Sequence, residues 1–155
     1  MLKHIDPVLS PELLRILAEM GHEDALVVAD ANFTAMRYRA STASQTVIRL
    51  PGIGLVRAAQ AVLSVLPLGV ASEQPVAYMQ VSEKPMGFAS AVQQEVIDLV
   101  HREDPAHAGI TALAVERFAF YERAKHAYAI VVTGEMQPYA NFIFKKGVIA
   151  QALAV

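Results

Sequence analysis

The chain has 155 residues, 54% hydrophobic and 18% charged, with a formal net charge of −2 and no cysteine. That length fits a single domain over 1–155, with a core large enough to do without metal or disulfides. The missing cysteine excludes disulfides, thiolate metal sites and cysteine nucleophiles, and the near-neutral charge gives no pull toward nucleic acid or an anionic membrane surface.

No apolar run approaches the ~20 residues that span a bilayer. Asp6 and Pro7 interrupt the amino terminus before an apolar leader forms, so the cytoplasm is the expected compartment. The apolar fraction exceeds what one soluble surface requires, which points to further burial between subunits and hence to a homo-oligomer.

Ser10-Pro11 opens a helix with a capping residue followed by proline, and Leu13, Leu14, Leu17 and Met20 form its apolar stripe. Gly21 is expected to end that helix at the C′ position. Ala25–Ala29 is a short apolar run without alternation, the pattern of a strand buried on both faces. Asn32–Thr46 reads as a loop and Val47–Leu50 as a second strand. Pro51–Gly54 is a turn, because Arg57 stands where a dinucleotide fingerprint needs its third glycine. A helix from Leu55 to about Val65, a connector from Pro67 to Pro75 and a strand over Val76–Met79 follow. The spacing predicts a long helix over Phe88–Glu103, broken by Asp104-Pro105, then a strand over Leu113–Val115 and a helix from Arg117. Tyr128–Val132 and Phe142–Phe144 complete the strands, and Lys145-Lys146 reads as a solvated strand end. Strands alternating with helices argue for an α/β domain with a largely parallel sheet.

Candidate chemistry gathers at four places. Arg117-Phe118-Ala119-Phe120-Tyr121-Glu122-Arg123 concentrates directional hydrogen-bonding groups, with Tyr121 and Glu122 in supporting positions. This density suits a sugar-sized ligand or a subunit interface, and equally a helix whose charges are solvated. His22 follows a helix end, where an imidazolium is favoured and can serve as a general acid, or merely complement the helix dipole. Asp30 ends a buried strand, where a carboxylate can accept hydroxyl hydrogen bonds or close an Asx turn. Tyr139-Ala140-Asn141 supplies the mixed apolar and polar surface of a sugar site, or a plain turn. The five histidines show no metal-ligand spacing.

Taken in order, Met20-Gly21-His22, Asp30-Ala31-Asn32-Phe33, Val47-Ile48-Arg49, Arg117–Ala124, Thr133-Gly134-Glu135, Tyr139–Asn141 and Lys145-Lys146-Gly147 closely resemble the ribose pyranase and fucose mutarotase family, RbsD/FucU, on its fucose branch. The resemblance is strongest at both ends of the chain and thins between about Leu68 and Leu113. It implies a three-layer α/β/α domain, usually a ring-shaped homodecamer, acting on a free monosaccharide, L-fucose before other aldoses, with no cofactor. D-Ribose pyranase activity and a non-catalytic sugar-binding accessory of an uptake system are the alternatives. The resemblance implies that His22 is the proton donor and that Asp30, Arg117, Tyr139, Ala140 and Asn141 contact substrate. Ala140 stands where the fucose branch often has glycine.

His22 and Asp30 lie eight residues apart, up to roughly 26 Å at about 3.3 Å per extended residue. A monosaccharide is far shorter. Either the chain bends sharply at Glu23-Asp24, or the site joins neighbouring subunits.

Overall fold

The computed structural model describes residues 2–103 and 109–150. The helix break expected at Asp104-Pro105, His107 and the end of the tail lie outside the described residues.

Short apolar runs form a six-stranded sheet among the described residues: β1 (Ala25–Ala29), β2 (Val47–Leu50), β3 (Val76–Met79), β4 (Leu113–Val115), β5 (Ala129–Thr133) and β6 (Phe142–Lys145), in the spatial order β2-β5-β1-β6-β3-β4. The β2–β5, β5–β1 and β3–β4 pairs are parallel. Strand β6 runs antiparallel to both of its neighbours, β1 and β3, so the largely parallel sheet carries one reversed strand at its centre.

The helices are α1 (Pro11–Glu19), α2 (Ala35–Tyr38), α3 (Leu55–Leu63), α4 (Ala91–Glu103) and α5 (Arg117–Lys125). Strand side chains alternate between two apolar layers, as a period of two requires. Leu26 and Val28 of β1 join the layer beneath α1, α3 and α4, with Phe142 and Phe144 fully buried in it. Val27 and Ala29 join Phe120 and Ala124 of α5 and Ala35 of α2 on the other face. Full burial of a large apolar side chain stabilises by about 1.5–3 kcal/mol, so both faces of the sheet hold their helices and the result is three layers, α/β/α.

Local signals account for most element starts. Ser10 Oγ accepts the Leu13 N–H at 3.2 Å with Pro11 in the first turn, a cap that stabilises by about 1 kcal/mol. Glu116 caps α5 in the same way, accepting the Phe118 and Ala119 N–H groups. Gly21 follows the Met20 C-cap of α1, at the position expected of it. Two expectations need correction. Lys145 and Lys146 are not a solvated strand end. Lys146 Nζ donates to the Leu17 and Met20 carbonyls at 2.7 and 2.6 Å, supplying the donors that the last turn of α1 lacks. Within the expected loop, α2 forms and passes into a 3₁₀ turn at Arg39–Ser41.

Candidate active site

Topology brings four segments to one edge of the sheet. Asp30 follows the carboxyl end of β1, and Met79 ends β3, which runs the same way. Arg117 opens α5 just beyond the carboxyl end of β4. Asn141 reaches this edge by the opposite route, because it precedes the reversed strand β6. Carboxyl ends of strands are where ligands collect in open α/β sheets.

These segments enclose a pocket of about 210 Å³ lined by Asp30, Asn32, Phe33, Met79, Arg117, Tyr121, Pro138, Tyr139 and Asn141. That is below the ~300–1,000 Å³ of drug-sized ligand sites and suits a small molecule.

Asp30 and Asn141 form a reciprocal clamp at its base. Asn141 Oδ1 accepts the Asp30 N–H and Asn141 Nδ2 donates to Asp30 Oδ2, both at 2.9 Å. Asp30 Oδ1 accepts the Asn32 N–H at 2.9 Å, so the carboxylate closes an Asx turn while it lines the pocket. A carboxylate has about four acceptor sites, and these two bonds leave room for substrate hydroxyls. Burial pushes the Asp30 carboxyl above the usual carboxylate range; the hydrogen bonds from Asn32 and Asn141 oppose this, and the Glu135 charge adds to it.

Arg117 and Tyr121 sit one helical turn apart on α5, which puts both on the pocket side while Phe120 and Ala124 fill the core. The guanidinium lies over the Phe118 ring, 4.7 Å from its centroid, and Arg117 Nε is buried without a partner among the described residues. Such an orphan donor costs about 1–3 kcal/mol unless something accepts its hydrogen bond. Burial raises the proton affinity of the Tyr121 phenol, and the Arg117 charge lowers it.

Tyr139 adopts φ 67°, a left-handed conformation uncommon for a tyrosine. Gln93, fully buried in α4, donates through Nε2 to the Tyr139 and Met79 carbonyls, each at 2.8 Å, and accepts the Ser90 N–H at 2.9 Å. The loop is thereby fixed against strain of about 1–3 kcal/mol.

Ala140 is buried in the core beneath this loop. Glu122 lies on the exposed face of α5, paired with Lys125. His22 stands elsewhere. It precedes β1, while Asp30 follows it; five strand residues at about 3.3 Å each put roughly 17 Å of strand between them. The chain does turn at Glu23, with φ 64° and the Asp24 N–H donating to the Gly21 carbonyl. That turn feeds β1 from its amino end and carries His22 away from the pocket. There the imidazole Nε2 meets Glu73 Oε1 at 3.1 Å.

Reasoning from the sequence missed Met79, Gln93 and Glu73. Gln93 left a usable signal, being a polar residue in register with Val96 and Val100 on the buried stripe of α4. Met79 and Glu73 left none, since their partners are distant in sequence.

The chain matches the RbsD / FucU transport protein family over residues 3–149. It is 44% identical over 153 residues to the fucose mutarotase of Homo sapiens, covering 96% of this chain and 95% of that one. It is 43% identical over 155 residues to the L-fucose mutarotase of Glaesserella parasuis, covering 96% of each chain. The crystal structure of the fucose mutarotase from Streptococcus pneumoniae in complex with L-fucose superposes with a TM-score of 0.82 at 34% identity, covering 96% of this chain and 100% of that one.

Proposed function

The chain belongs to the RbsD/FucU family, and on that premise we propose that it is an L-fucose mutarotase, an isomerase that interconverts the α and β anomers of the free sugar. The observation that carries this reading is the Asp30–Asn141 clamp in a small pocket that Arg117 also lines. A polyol supplies both hydroxyl donors for the Asp30 carboxylate and hydroxyl acceptors for the Arg117 guanidinium.

Anomer exchange requires one proton to leave the anomeric hydroxyl and one to reach the ring oxygen. The bond from the anomeric carbon to the ring oxygen breaks, the open-chain aldehyde forms and rotates, and the ring recloses with the proton movements reversed. Positioned acid–base groups accelerate such a step by about 10²–10⁴-fold. Burial raises the proton affinity of Asp30, which suits it to take the hydroxyl proton, directly or through water. Arg117, Tyr139 and Asn141 orient the remaining hydroxyls, and Tyr121 flanks Arg117.

His22 is the acid of this reading, and in one chain it faces away from the pocket. A neighbouring subunit must therefore bring its own His22 to the Asp30 pocket, so the working site is composite. Exposed apolar residues are available for such contacts: Phe118 beside the pocket is 63% exposed and Met136 is 70% exposed. The assembly is taken as a cytoplasmic homo-oligomer, decameric by the family resemblance. Among the described residues no helix is long and apolar enough to cross a membrane.

The test is anomer exchange followed by NMR saturation transfer with L-fucose and D-ribose in parallel. Acceleration with L-fucose that His22→Ala abolishes supports the reading, and faster exchange of D-ribose moves the enzyme to the pyranase branch. No acceleration with either sugar removes the catalytic assignment. Co-assembly of inactive His22→Ala and Arg117→Ala chains tests the composite site. Random mixing in a symmetric ring restores roughly a quarter of the sites if two subunits share each one. No recovery in mixed oligomers refutes the shared site.

A further inference from the structure

The pair at the far end of β1 has a construction of its own. Glu73 ends the 3₁₀ turn Ala71–Glu73, and the next residue, Gln74, is left-handed at φ 47°. Three contacts hold Glu73 in place. Its Oε2 accepts the Val70 N–H at 3.2 Å, its carbonyl accepts from Lys145 Nζ at 3.1 Å, and its Oε1 meets His22 Nε2 at 3.1 Å. Gly69 makes the space for this carboxylate, since a Cβ at that position would collide with Glu73 Oε2. On the His22 side, Asp24 Oδ2 accepts the Gly21 N–H at 2.7 Å, fixing the turn that presents the imidazole.

From this arrangement we propose that Glu73 is the positioning residue of His22, fixing both the ring and the atom that exchanges its proton. A carboxylate only accepts hydrogen bonds, so the nitrogen facing it, Nε2, carries its hydrogen. The other nitrogen, Nδ1, is then the atom that delivers a proton to the sugar ring oxygen and recovers it on reclosure. The same division of labour between a carboxylate that orients and an imidazole that transfers operates in hydrolytic triads. The inference rests on the mutarotase reading for its kinetic consequence but not for its geometry.

Two variants separate shape from charge. Gly69→Ala leaves the Glu73 side chain intact and displaces its carboxylate, a shift that the flexible end of a glutamate absorbs without unfolding. Glu73→Gln removes the charge and leaves one oxygen, which can accept from Val70 or from His22 but not from both. Both are expected to fold and to bind L-fucose with KM within about two-fold of wild type. The kcat for anomer exchange is expected to fall roughly ten-fold in Gly69→Ala and by less in Glu73→Gln, the scale of a partly disabled acid. Imidazole ¹⁵N resonances supply a readout that needs no turnover. Neutral His22 carries its hydrogen on Nε2 in the wild type, and Gly69→Ala is expected to show a mixture of tautomers. Unchanged kcat in both variants, or a wild-type His22 with its hydrogen on Nδ1, overturns the assignment. If the wild type accelerates neither L-fucose nor D-ribose exchange, the mutarotase reading fails by itself, and the tautomer measurement still decides the role of Glu73.

Discussion

The two ends of β1 carry the two halves of the proposed chemistry in different physical states. At the carboxyl end, Asp30 is 4% exposed and locked by Asn141, with Arg117 and Tyr139 set around it by α5 and the Gln93 clamp. At the amino end, the His22 side chain is 49% exposed and is held by one carboxylate. Binding groups can be organised within one chain because burial and directional bonds fix them against competing water. The proposed acid has to meet a sugar held by another copy, and a half-exposed residue on a turn suits that task. Tight packing therefore resides at one end and the proposed proton delivery at the other.

The largest test of this contrast is the pair of variants that strike the two ends. His22→Ala is expected to lower kcat by about 10²–10⁴-fold while leaving the unfolding midpoint of the chain nearly unchanged. Equal losses of stability and activity would erase the distinction. Asn141→Ala orphans the buried Asp30 N–H and half of its carboxylate. Urea unfolding should reveal a loss of about 2–4 kcal/mol along with a raised KM. Arg117→Lys comes next. A lysine keeps the charge but not the planar fork, so calorimetric affinity for L-fucose should fall roughly ten-fold with little change in stability.

A smaller effect sharpens the comparison through pH. The unfolded chain releases the Asp30 proton near ~3.9, whereas burial raises the folded value above that. Between the two, the folded state binds more protons than the unfolded state, so this group makes stability fall as pH rises through the window. Above the folded value its contribution is level. Urea midpoints of wild type and Asp30→Asn, compared from pH 3 upward, should diverge across that window in the variant's favour. The opposite slope would show that the hydrogen bonds from Asn32 and Asn141 outweigh desolvation. The smallest effect belongs to the exposed pair: Glu73→Gln should change stability by less than ~1 kcal/mol, because surface ion pairs contribute little.

Much of the scaffold was legible residue by residue. Ser10-Pro11 announced α1, and the unalternating run Ala25–Ala29 announced a strand covered on both faces. Asp30, Arg117, Tyr139 and Asn141 could be singled out as groups able to bind a sugar, each with a plain structural reading beside it, and the family resemblance joined them. Their convergence was not legible, since Asn141 reaches Asp30 only because β6 is inserted in reverse between β1 and β3.

The sequence by itself determined the local choices: where helices are capped, which residues face a core, which side chains are able to bind a sugar. These follow from short-range sterics, hydrogen bonding and periodicity. Tertiary structure alone decided that Lys146 closes α1, that Gln93 fixes Tyr139, and that Glu73 occupies the space Gly69 leaves beside His22. It also sent His22 to the opposite end of β1 from the pocket it is proposed to serve. Such pairings span tens of residues and depend on sheet order and strand direction, and no local pattern encodes either.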